Sequence, residues 1–80
     1  IKKEKGVVII PGDMQIDEFN MMFNVSIESS ESETIGGYII EKLGYLPKRR
    51  ASIMIDDYIV TVRYVAKNRI QSIEVKRVES

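Results

Sequence analysis

Apolar residues along this chain change period twice, and each change marks a boundary between elements. Val7-Val8-Ile9-Ile10 is a β-branched run stopped by Pro11-Gly12, the pattern of a buried strand ending in a turn. Beyond the turn Ile16, Phe19, Met22 and Phe23 recur at helical spacing, with Asp17 and Glu18 early, where carboxylates favour the positive end of a helix. Ile35, Ile39 and Leu43 form a second stripe at i, i+4 and i+8. Thr34 stands where its hydroxyl can cap that helix, Gly44 supplies a left-handed stop, and Pro47 keeps the helix from resuming. Between the helices, Glu28-Ser29-Ser30-Glu31-Ser32-Glu33 has no apolar period and predicts an exposed loop.

The last third alternates instead. Ile53 and Ile55 interleave with Ser52 and Met54, then Tyr58, Val60, Val62 and Tyr64 interleave with Ile59, Thr61, Arg63 and Val65. Asp56-Asp57 and Lys67-Asn68 fit the two hairpin turns, and Arg69 to Val78 makes a final strand. Ile70 is out of phase with Ile73 and Val75 by one residue, which places a β-bulge near Gln71 or Ser72. The predicted architecture is α+β in the order β-α-α-β-β-β, two helices packed on a small, mainly antiparallel sheet. The tyrosines and phenylalanines fall mostly at core-facing positions of this scheme.

At 80 residues, 44% of them hydrophobic, the chain has apolar material for one core. It contains no Cys and no His, which excludes Cys/His zinc sites, thiol nucleophiles and histidine-based triads. Twelve basic and twelve acidic residues cancel, so no global field draws the domain to nucleic acid. No apolar stretch approaches the roughly 20 residues needed to span a bilayer. Ile1 to Lys5 is charged and begins without methionine; residues 1–5 read as a linker from an upstream region, residues 6–80 as the domain, and a trimmed terminus would look the same.

Several short signals fall in a recognisable order: Gly12 with Ile16-Asp17-Glu18-Phe19, then Thr34-Ile35-Gly36-Gly37, then Leu43-Gly44-Tyr45-Leu46-Pro47, then a meander ending Arg69-Ile70 and Ile73-Glu74-Val75. From Gly6 to Val78 the chain resembles the CorC/HlyC transporter-associated domain. The resemblance implies a cytoplasmic accessory domain of a bacterial magnesium and cobalt efflux protein or hemolysin. Its partners would be the CBS and membrane domains of the parent protein, its role modulation of ion transport without catalysis, and its fold similar to a subdomain of FAD-binding proteins. Members of that family usually carry a glycine and acidic residues in the turn before the first meander strand, where this chain has Lys48-Arg49-Arg50.

Three clusters are candidates for chemistry. Gly36-Gly37 just inside a helix start, with Thr34, could admit a phosphate to backbone N–H groups, and Lys48, Arg49 and Arg50 could meet phosphate, lipid headgroups or an acidic neighbouring domain. Together these six residues would serve a small sensor of adenine nucleotide or FAD, the alternative to a regulatory domain that needs no cofactor. Close helix–sheet packing explains the glycines more simply, and a solvated turn the cations. Glu28, Glu31 and Glu33 could hold a hard cation, as could Asp56 and Asp57, but they lack the glycine turn and dense carboxylates of a calcium loop. A free edge of the sheet could also pair two copies into a homodimer.

Overall fold

A computed structural model describes residues 2–4 and 6–78. The elements in chain order are β1 (Lys2–Glu4), β2 (Val7–Pro11), α1 (Ile16–Phe23), α2 (Ile35–Leu43), β3 (Ser52–Ile55), β4 (Tyr58–Ala66) and β5 (Arg69–Arg77). Their strands form one sheet in the order β1-β2-β5-β4-β3, every neighbouring pair antiparallel. The β-α-α-β-β-β order and the two-layer packing are as the periodicity predicts. The addition is β1, a charged stretch without apolar pattern whose backbone pairs along the free edge of β2. The linker reading covered these residues; its Ile1 and Lys5 lie outside the described residues.

One face of the sheet carries the core. Ile10, Ile55, Val60, Val62, Ile73 and Val75 point from it into Ile16, Phe19 and Phe23 of α1 and Ile35 and Ile39 of α2. Phe23 bridges the layers, with its ring centroid 4.7 Å from Phe19 and 5.2 Å from Tyr58, the latter edge-on. Val25 and Ile27, between the helices, are also buried, and Asn20 secures that segment by donating to the Ile27 carbonyl at 2.9 Å and accepting the Ile27 N–H at 3.0 Å.

The helix ends follow their local chemistry. The Thr34 hydroxyl accepts the Gly37 N–H at 3.1 Å, and Gly44 adopts φ 84° at the C-cap of α2. In α1 the stop is Asn24 at φ 54°, a residue type that tolerates the left-handed region. Met22, although on the predicted stripe, is 38% exposed, because eight residues of helix turn only Ile16, Phe19 and Phe23 fully inward.

The predicted bulge is present and involves both strands. Val62 faces Ile73, Tyr64 faces Ser72 and Val65 faces Ile70, so Arg63 on β4 and Gln71 on β5 are each skipped in the register. Across this irregularity the inward phase passes from Val62 to Val65, which packs against the core. Tyr64 is thereby turned out of the core it was expected to join and is 48% exposed; Tyr45 is 63% exposed on the loop after α2.

Candidate functional site

Gly12 and Gly36 let backbone segments approach each other closely. A Cβ on Gly12 would stand 1.9 Å from the Ile70 carbonyl oxygen, and one on Gly36 would stand 2.7 Å from the Gly12 carbonyl oxygen. The Gly36 N–H donates to that same Gly12 oxygen at 2.8 Å, and the Gly12 N–H donates to Gln71 at 3.0 Å. Gly36 therefore joins the start of α2 to the β2–α1 turn, the packing role that competed with phosphate binding. The Gly37 N–H is already taken by Thr34. Thr34, Gly36 and Gly37 line a groove of about 330 Å³ with Asp13, Ile40 and Arg69.

Arg49 and Arg50 line a different groove, of about 330 Å³, with Thr61, Arg63, Tyr64 and Glu74. The two halves of the nucleotide or flavin candidate thus face separate concavities, and Lys48 lines neither. Within the second groove the geometry is specific. The Arg50 N–H donates to the Val62 carbonyl at 2.7 Å, while the Val62 N–H donates to the Ala51 carbonyl at 2.8 Å. Two residues thereby oppose one, and Arg50 sits at φ 75°, the arrangement of a G1 bulge with arginine where glycine is usual. Arg49 lies with its guanidinium carbon 4.8 Å from the Tyr64 ring centroid, and Arg63 at 5.2 Å. The Arg49 Nε–H donates to the Arg63 carbonyl at 2.9 Å, which fixes the guanidinium over the ring.

The carboxylates are dispersed. Glu28 and Glu33 line a groove of about 450 Å³ with Asp17, Ser29 and Ser32, while Glu31 does not reach it. Asp56 and Asp57 form the β3–β4 turn, Asp56 at φ 51°, and line a separate hollow of about 210 Å³ with Phe23, Asn24 and Arg77. Among the described residues no group of three or more acidic side chains is placed to share a metal ion. The polar loop is organised by a residue that sequence reasoning missed. Glu41 on α2 accepts from the Ser29 hydroxyl at 2.6 Å and the Ser32 hydroxyl at 3.0 Å, and these two bonds hold its carboxyl below the usual glutamate range.

This architecture and its order of motifs match a known family model, described as "Transporter associated domain", over residues 1–79. The chain belongs to the CorC/HlyC family. Among its relatives, the magnesium and cobalt efflux protein CorC of Buchnera aphidicola (Acyrthosiphon pisum symbiont) is 34% identical over 92% of this chain and 25% of its own length. The CorC protein of Escherichia coli K12 is 36% identical over 76% of the chain and 21% of its own length. The chain thus spans about a quarter or less of the curated relatives it matches. A CorC-associated region from Neisseria meningitidis MC58 superimposes with a TM-score of 0.87 at 29% identity, covering 94% of this chain and 93% of its own. A hemolysin domain from Enterococcus faecalis V583 does so with a TM-score of 0.86 at 25% identity, covering 98% and 95%. Among the described residues of this CorC/HlyC chain, no helix is long and apolar enough to cross a membrane.

Proposed function

We propose that this chain is a non-catalytic regulatory domain of a magnesium and cobalt efflux protein, acting from the cytoplasmic side by contact with the membrane and CBS domains of its parent. The observation that carries the reading is the family match over almost the whole chain, combined with relatives more than three times as long that bear the efflux name. The chemistry of the chain is consistent with it. Gly12 and Gly36 serve packing, Thr34 serves a helix cap, and among the described residues no three carboxylates are placed to share a metal ion.

The test is deletion of the domain from the full-length parent, with cobalt and magnesium flux measured in membrane vesicles. A changed rate or ion dependence, with transport retained, is the expected result. Identical flux with and without the domain overturns the reading, as does turnover of a nucleotide or ester by the purified chain that is lost on carboxylate substitution.

A further inference from the structure

The sheet has a second face. Strand register places Val7, Lys76, Ile59 and Met54 in one row across β2, β5, β4 and β3, and Ile9, Glu74, Thr61 and Ser52 in the next. Val7, Ile9, Ile59 and Met54 belong neither to the core nor to the residues packed against it, and Met54 is 58% exposed. Two helices cover one side of this sheet; on the other, Lys76 and Glu74 of the central strand are flanked by Val7 and Ile9 on β2 and by Ile59 and Met54 on β4 and β3. The groove of Arg49, Arg50, Arg63 and Tyr64 adjoins that face through Thr61 and Glu74.

We propose that this outer face is a docking surface for an acidic face of another domain of the parent polypeptide, an inference that rests on the regulatory reading above. Carboxylates of the partner meet the guanidiniums of Arg49, Arg50 and Arg63, and its apolar side chains cover Ile59 and Met54. Three observations converge on that occupant.

The first is composition. Arg, Tyr and Met, all present on this face, are enriched at protein interfaces. The second is order: Arg49 and Arg63 are held against Tyr64 before any partner arrives, so little side-chain freedom remains to be lost on docking. The third is strain. Arg50 occupies a left-handed bulge position where glycine is cheaper by local conformation, and a strained residue beside a groove points to a role for its side chain. Glu74 in the same groove decides against a membrane surface, since a carboxylate among the cations is easier to place against the discrete carboxylates of a protein face than against a continuous layer of phosphates.

The experiment places a photo-reactive benzoylphenylalanine at Thr61 of the full-length protein and identifies the cross-linked product by mass spectrometry. The expected product is a peptide from another domain of the same polypeptide, rich in Asp and Glu. Arg49→Glu with Arg63→Glu should lower its yield by about tenfold, the change that roughly 1.4 kcal/mol of lost attraction produces. Arg49→Lys should have a smaller effect, because charge is kept while stacking is weakened. A cross-link to lipid, a cross-link only to the same surface of a second copy, or a yield indifferent to charge reversal overturns the proposal. Circular dichroism of the 80-residue chain checks that the variants fold; relatives of nearly this extent stand as solved chains in their own right. Should the double reversal unfold, Arg49→Gln with Arg63→Gln removes the charges more gently. Flux from the domain-deleted parent is read separately. Unchanged flux with an intact cross-link removes the regulatory role alone; altered flux without the cross-link removes this surface alone.

Discussion

Replacing Arg50 by glycine should stabilise the isolated domain. Arg50 has φ 75° and donates its N–H to Val62, so its backbone is committed to the left-handed region by hydrogen bonds on both sides of the bulge. For an L-residue that region costs roughly 1–2 kcal/mol. Glycine removes the steric part but gives the unfolded chain more freedom, a loss of about 0.5–1 kcal/mol. The net gain is about 0.5–1 kcal/mol. The exposed Arg50 side chain gives none of this back through core packing. In urea, with a slope of about 1 kcal/mol/M for a small domain, the midpoint should rise by roughly 0.5–1 M at unchanged slope. Arg50→Ala is the control: it removes the same guanidinium yet keeps the strained φ, so its stability should stay within about 0.5 kcal/mol of the parent. If Arg50→Gly lowers the midpoint, or if alanine stabilises as much as glycine, the bulge is not strained and the argument from strain to function fails with it.

Gly12→Ala should prevent native folding or cost more than about 3 kcal/mol, because a methyl group 1.9 Å from the Ile70 carbonyl oxygen can be relieved only by moving backbone; loss of dispersed amide resonances reports it. Thr34→Ala should cost about 1 kcal/mol in the same urea titration by leaving the Gly37 N–H without its cap, whereas Thr34→Ser should be close to neutral. For Glu41, the folded carboxyl titrates below its unfolded value because Ser29 and Ser32 donate to it. Its contribution to stability is therefore present above the unfolded pKa and is lost as pH falls through the lower folded one. A carboxyl-detected NMR titration should show the depressed value rise towards an ordinary glutamate in Ser29→Ala with Ser32→Ala; an unmoved value would exclude the two hydroxyls as its cause.

Local signals were legible where a residue acts on its own neighbours. Thr34, Gly44, Asp56-Asp57 and Lys67-Asn68 all occupy the cap and turn positions that their chemistry indicates. Lys67 and Asn68 both have positive φ, 54° and 61°, as a two-residue hairpin turn requires. Features that depend on a distant partner were not legible. β1 exists because β2 offers it an unpaired edge, and no apolar pattern announces that. The phase slip was visible at Ile70, but its counterpart at Arg63 depends on which residue of β4 faces which of β5, and with it went the direction of Tyr64. Arg50 was seen as a charge, while its strain arises from Val62, twelve positions on. Val25 and Ile27 alternate with Ser26 and Glu28, a short signal that could have indicated their burial.

The strand order carries a consequence for the birth of the molecule. β2 lies beside β5, so the first long strand waits for the last one before it acquires its inner neighbour. Until residue 77 has left the ribosome, only the β1–β2 and β3–β4 hairpins can close locally, and Ile10 stays wet together with the apolar sides of both helices. Sequence-distant pairing of this kind slows the search for the native state and extends the time during which a nascent chain offers sticky surface.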